Sequence, residues 1–352
     1  TEDDESPTLW GKYSNSDFLS APMHMDNPDQ SGVGNFDGEY LKYRGRILFG
    51  FPLSIKGNLL GAMIFEEGSN PKGTPSAHIR KRRLEIITGI THQTSLAIHN
   101  DLLQREVVIR ERLEREMQLA REIQTTFLPE SLPNISGYDL DIHWRPARQV
   151  GGDFYDIVNY PDGRIGLIMA DVADKGMPAA LFMILVRTLI RAAAKENLSP
   201  SEILKQVNEL LVPDAKHGMF VTVIIAVLSP ADGTIIYANA GHNPPIIHRV
   251  DNSLQEMLPT GMALGIFDQI ALGELIIKIN RGDRIIFYTD GITEAFSELD
   301  EMFGVERLKK TILTSNDHAA NGLLDSIENS LGEFLDGAPQ SDDLTIAALI
   351  RK

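Results

Sequence analysis

The chain has 352 residues, 43% of them hydrophobic and 23% charged, enough for about two domains with buried cores. A formal charge of −16 argues against a nucleic-acid or anionic-membrane partner, because phosphate surfaces reward clustered Lys and Arg. Zero cysteines exclude disulfide scaffolds, Cys-rich zinc sites and cysteine nucleophiles and fit a cytoplasmic location, and no apolar run approaches the roughly 20 residues of a membrane span.

The opening "TEDDESPT" reads as a disordered acidic leader without a signal-peptide pattern, and a first residue other than Met is what a fragment of a longer protein would show. Residues 46–67 then predict two apolar strands joined by a hairpin at Lys56-Gly57-Asn58. Over 74–127 the pattern becomes helical, starting near the basic run Arg80-Lys81-Arg82-Arg83, which reads as a solvated face. Its charged second half carries a partial apolar seam at Leu102, Ile109, Leu113, Ala120, Ile123 and Phe127, broken by Glu106 and Glu116, that suggests a dimerising helix. Two prolines and a glycine in "LPESLPNISGY" end it.

Beyond that stop, strands are predicted over 138–148, 153–160, 164–172, 219–228, 234–240, 274–279, 283–289 and 344–350. Helices are predicted over 178–195, 200–211, 305–314 and 319–335. Hairpin-like strand pairs with helices grouped between them predict the α+β class rather than a parallel βαβ repeat.

Acids stand at the ends of several of these apolar strands. "RQVGGDFYDI" delivers Asp153 and Asp156, "GLIMADVADKG" delivers Asp171, "RIIFYTDGITEA" delivers Asp290, and "APQSDDLTIAAL" delivers Asp342 and Asp343. A half-buried carboxylate without a cation is costly, so one such acid usually caps a turn, whereas four with small neighbours favour a hard-cation site. An all-oxygen donor set selects Mg²⁺ or Mn²⁺ over zinc, and the nine histidines contain no HExxH pair. Two such ions can activate a water and clamp a phosphoryl group for in-line displacement.

The ordered strings "VGGDFYD", "ADVADKGMPAALFM", "ANAGHNPP", "YTDGITEA" and "SDDLTI", preceded by "AREIQTTFLPESLP", resemble the SpoIIE/RsbU-type branch of the PPM metal-dependent serine/threonine protein phosphatases. The resemblance covers about the last two-thirds of the chain. It implies an αββα sandwich of two antiparallel sheets flanked by helices, with two Mn²⁺ or Mg²⁺ ions at one edge. Carried over, Asp153, Asp171, Asp290 and Asp342 are the catalytic metal-site residues, with Asp171 bridging and the Val172 carbonyl as a further ligand. Asp343 either joins them or supports them. Asp156 faces away from Asp153 if the strand is regular, because an odd spacing changes sides; it and Asp174 are weaker candidates for a third ion. Where many eukaryotic members carry Gly and a proton-donating His after the bridging Asp, this chain has Val172 and Ala173. His242 reads better as a turn organiser than as a replacement acid, Arg148 is a candidate phosphate contact that is as readily a surface residue, and Lys175-Gly176-Met177 a candidate hinge.

The amino-terminal third is similar to the later half of a GAF sensor domain, through "RILFGFPLSIKGNLLGAMIFEE" and "EIITGITHQTSLAIHN". The expected organisation is therefore a GAF-like α/β domain over 1–98, incomplete at its start, a dimerising linker helix over 99–133, and the phosphatase over 134–352. The expected partners are a phosphoprotein, by analogy a STAS-domain anti-sigma-factor antagonist, a second copy of the chain, and an unidentified signal at the sensor. A catalytically inactive scaffold that binds a phosphoprotein is the alternative. A diguanylate cyclase, suggested by "GGDF", leaves Asp171, Asp290 and Asp342 unexplained.

Overall fold

The computed structural model describes residues 40–43, 46–56, 58–67, 77–216 and 218–352; the acidic leader lies outside them. Two compact units, Thr1–Glu114 and Arg115–Lys352, divide the chain. In the first, β1 (Tyr40–Tyr43), β2 (Arg46–Ile55) and β3 (Asn58–Glu67) form an antiparallel sheet in that order. The predicted hairpin is β2–β3. Lys56 takes a left-handed φ of 48° at the turn, and the Phe51 and Phe65 rings meet edge to face at 5.5 Å.

Helix α1 (Ala77–Thr125) follows as one 49-residue element, passing without a break through the boundary expected near residue 98. Along it Leu102, Val108, Ile109, Leu113, Leu119 and Ile123 are exposed.

In the second unit two five-stranded antiparallel sheets stack. One has the order β10-β9-β12-β13-β4, built from β4 (Tyr138–Arg145), β9 (Ile246–His248), β10 (Leu254–Glu256), β12 (Arg284–Tyr288) and β13 (Leu344–Arg351). The other has the order β11-β8-β7-β6-β5, built from β5 (Phe154–Asn159), β6 (Ile165–Val172), β7 (Val221–Ser229), β8 (Thr234–Ala240) and β11 (Leu275–Lys278). The helices are α2 (Met177–Ala194), α3 (Pro200–Leu211), α4 (Asp290–Thr293), α5 (Gly304–Thr314) and α6 (Ala320–Leu335).

Strand alternation explains the layers. In β6, Leu167 and Met169 join Ile224, Tyr237, Phe287 and Leu349 between the sheets, whereas Ile168, Ala170 and Val172 face α2 and α3. A third cluster packs α5 and α6 against Ile286, Ile346 and Ala348. Helix, sheet, sheet and helix are thus four layers with three apolar seams, the expected αββα sandwich.

Most predicted elements are present with ends shifted by a few residues. Strand β4 stops at Arg145, where Pro146 removes the next ladder donor. The three-residue strands β9 and β10 and the single turn α4 escaped prediction because each is shorter than a readable period.

Helix α2 is 18 residues long and apolar enough that composition alone would admit a membrane span, closer to one than the sequence reading allowed. Its apolar face, with Met183, Val186 and Ile190, is instead buried in the core it shares with the β5–β8 sheet. It is also tied to β5 by charge. Asp156, 1% exposed, accepts from Arg191 Nε at 2.6 Å and Nη2 at 2.7 Å, and Arg187 Nε lies 3.0 Å from its Oδ2 without being aligned to donate.

Candidate metal centre

The layer between the sheets opens at one end, and the candidate acids gather there. Asp171 ends β6 beside Thr222 at the start of β7, Thr289 follows β12, and Thr345 is near the start of β13. By parity Asp171, Thr289 and Thr345 continue the inter-sheet face of Met169, Phe287 and Ala347. Asp153 enters the same end from the loop before β5. It is 1% exposed, and its Oδ2 accepts from the hydroxyls of Thr289 at 2.6 Å and Thr345 at 2.8 Å. The indole N–H of Trp144 donates to its carbonyl at 3.0 Å.

The glycines beside Asp153 have a geometric reason. Asp343 turns its carboxylate to the backbone, accepting from the N–H of Ala147 at 2.8 Å and of Gly152 at 2.7 Å. A Cβ on Gly151 would collide with that carboxylate, and one on Gly152 would sit 2.9 Å from the Val172 carbonyl. A Cβ on Gly291, next to Asp290, would run into the Asp343 carbonyl. Backbone must approach backbone and carboxylate here, which only glycine permits.

Sequence reading missed Gln124. This side chain is 1% exposed at the end of α1. It clasps Gly151 twice, donating from Nε2 to the carbonyl at 2.6 Å and accepting from the N–H at 3.1 Å. A polar residue within a helix that stops two residues before "FLP" carries no periodic signal, so nothing local marked it.

The electrostatics follow from five carboxylates in one place. Burial, then the charges of Asp171 and Asp343, push the Asp153 carboxyl well above its ordinary range. Burial lifts Asp171 to about 6, opposed by a hydrogen bond from Asp153 and helped by Asp342 and Asp343. Burial, then Asp171 and Asp342, lift Asp290 to about 7. Burial raises Asp343 against its backbone donors. Asp342 Oδ2 meets the Lys175 ammonium at 2.7 Å.

These raised values set a pH dependence. Between about pH 4 and pH 7 the folded protein binds protons that the unfolded chain releases, so this stabilisation is complete below about pH 4 and lost as pH rises through about 6 to 7. Without divalent ions, the melting temperature is expected to fall between about pH 4 and pH 7. Calorimetry across that range, showing a flat or rising midpoint, would contradict the cluster as described.

The donor set suits a hard divalent cation: all oxygen, half-buried, short of positive charge, with an ammonium standing on one carboxylate. Among the described residues no three of these side chains converge closely enough to enclose an ion as they stand. Asp343 faces amides, Asp153 faces hydroxyls and Asp342 faces Lys175.

Other candidates fall outside the cluster. Asp156 belongs to Arg187 and Arg191. His242 is buried, its Nδ1 is 2.9 Å from the Thr222 hydroxyl, and its backbone N–H donates to the Asn239 side chain at 2.8 Å. Burial pushes its imidazole down to about 3, so it remains neutral and organises the turn. Arg148 is exposed, as is Asp174, which adopts a left-handed φ of 83° and accepts from the Lys175 N–H.

Two stacked antiparallel sheets with flanking helices and acids at one edge define a domain of PP2C-like architecture. The chain belongs to the SpoIIE family: the pattern described as Stage II sporulation protein E (SpoIIE) matches residues 161–352, more than half of its length. It is 34% identical over 263 residues to Protein IcfG of Synechocystis sp., covering 67% of this chain and 41% of that protein. It is 28% identical over 245 residues to Phosphoserine phosphatase RsbU of Bacillus subtilis, covering 69% of this chain and 72% of that one. The chain thus spans less than half the length of IcfG. The SiaA-PP2C domain of Pseudomonas aeruginosa shares the fold with a TM-score of 0.59 at 23% identity, over 69% of this chain and 98% of that domain.

Proposed function

We propose that this protein is a sensor-regulated phosphatase that hydrolyses phosphoserine or phosphothreonine on a regulatory protein, using two Mn²⁺ or Mg²⁺ ions. The observation that carries the reading is the gathering of Asp153, Asp171, Asp290 and Asp342 around one end of the inter-sheet layer, where burial and then mutual repulsion raise the carboxyls of Asp153, Asp171 and Asp290. The relative named a phosphoserine phosphatase supports the substrate class. A STAS-like anti-sigma-factor antagonist is the substrate the family analogy favours.

In this reading Asp153, Asp171, Asp290 and Asp342 hold the ions together with the Val172 carbonyl, and Asp343 acts as a strut that fixes the Gly151-Gly152 loop. The ions would supply Lewis acidity, lowering the pKa of water and neutralising charge on the phosphoryl group. Thr289 and Thr345 orient Asp153 by donating to one of its oxygens. The test is phosphate release from p-nitrophenyl phosphate with and without Mn²⁺. Metal-dependent turnover is expected; tight Mn²⁺ binding without turnover would favour the phosphoprotein-binding scaffold instead.

The amino-terminal strands and α1 are read as the later part of a GAF-like sensor leading into a dimerising helix, in a cytoplasmic protein. The paired hairpin β2–β3 and the exposed apolar residues of α1 support this. Replacing Leu113 and Ile123 with Ala is expected to shift the chain toward monomer in sedimentation while leaving Mn²⁺ affinity unchanged. Unchanged self-association would remove this helix as the interface.

A further inference from the structure

We infer that Lys175 is a resident counter-cation of the acidic cluster, which occupies Asp342 in the metal-free protein and must give it up when a divalent ion enters. The inference rests on the metal reading above and adds to it what sets the ion's affinity.

Two observations carry it. First, Asp342 is engaged on both oxygens: Oδ1 accepts the Asp343 N–H at 2.9 Å and Oδ2 takes the Lys175 ammonium at 2.7 Å. Second, the ammonium is held in place by a further bond to the Ser341 carbonyl at 3.0 Å. The backbone around it is shaped for that reach, with Asp174 at φ 83° and Gly176 at φ 81° on either side and the Asp174 carboxylate accepting the Lys175 N–H at 2.8 Å. One ammonium therefore stands on a carboxylate of a five-acid group, at the position where a cation is wanted.

The pair is suited to exchange. The Lys175 side chain is 42% exposed and that of Asp342 31%, so the ammonium can swing into water at small cost. A divalent ion offers the same carboxylate twice the charge. Lys175 competes with it directly and repels it from a distance, and both effects raise the ion concentration at which the site fills.

The experiment is a calorimetric titration of Mn²⁺ into the whole chain at about pH 7.5, comparing wild type, Lys175→Met and Lys175→Arg, each first checked for an unchanged melting profile. Lys175→Met is expected to tighten Mn²⁺ binding by roughly three- to tenfold, the scale of a half-exposed ion pair, and Lys175→Arg to leave it within about twofold. In an Asp342→Asn background the gain from Lys175→Met should shrink toward nothing, because the competed carboxylate is gone. Equal or weaker binding by Lys175→Met, with wild type binding normally, overturns the inference and leaves the metal reading standing. Absence of Mn²⁺ binding in every chain overturns both.

Discussion

Asp171→Asn is expected to abolish Mn²⁺-dependent phosphate release, by at least about 10³-fold, equivalent to ~4 kcal/mol of barrier. Asp171 is the centre of the cluster. Its charge raises both Asp153 and Asp290, and it is next to last in the β6 strand at the mouth of the inter-sheet layer. An amide in its place keeps the shape and removes the charge, so folding should survive while the ion-holding group does not. The metal-free variant should also lose less stability than the parent as pH rises, because the group titrating near 6 is gone. Turnover within tenfold of the parent would show that the reaction does not depend on this carboxylate.

Asp156→Ala is expected to cost about 3 kcal/mol of stability, the scale found when one partner of a buried pair is removed. At roughly 2–4 °C per kcal/mol for a domain of this size, the midpoint should fall by about 6–12 °C. Arg191, with 45% of its side chain exposed, can turn to water. Arg187, 11% exposed, cannot, and would be left as an uncompensated charge between α2 and β5. Changing Asp156 to Leu together with Arg187 to Met should recover most of the loss, since an apolar contact replaces the pair without stranding a charge. Mn²⁺ affinity measured well below the midpoint should match the parent. A cost under about 1 kcal/mol for Asp156→Ala would mean that the pair is not holding the helix to the sheet.

The two carboxylates of "GGDFYD" thus have unlike roles. Strand alternation separates Asp153 from Asp156 in sequence, but alternation says nothing about what waits on each face. Arg187 and Arg191 lie on a helix more than thirty residues later and become partners of Asp156 only when α2 packs on the sheet.

Local pattern by itself determined a great deal here. Period-two and period-3.6 hydrophobicity located most strands and helices, Pro and Gly located the stops, and acids at the ends of apolar strands marked a candidate cation site, because such groups are costly without a partner. The ordered motifs carried the family resemblance and with it the αββα sandwich. Tertiary structure alone decided which acids meet and how each is engaged. Asp342 and Asp343 are adjacent in sequence, yet one faces Lys175 and the other the amides of Ala147 and Gly152, some 190 residues away in the chain. Gln124 reaches Gly151 from the end of α1, a contact no spacing foretells. Burial and charge repulsion are properties of the assembled site, so the raised carboxyls of Asp153, Asp171 and Asp290 exist only once the sheets bring four segments together at one edge.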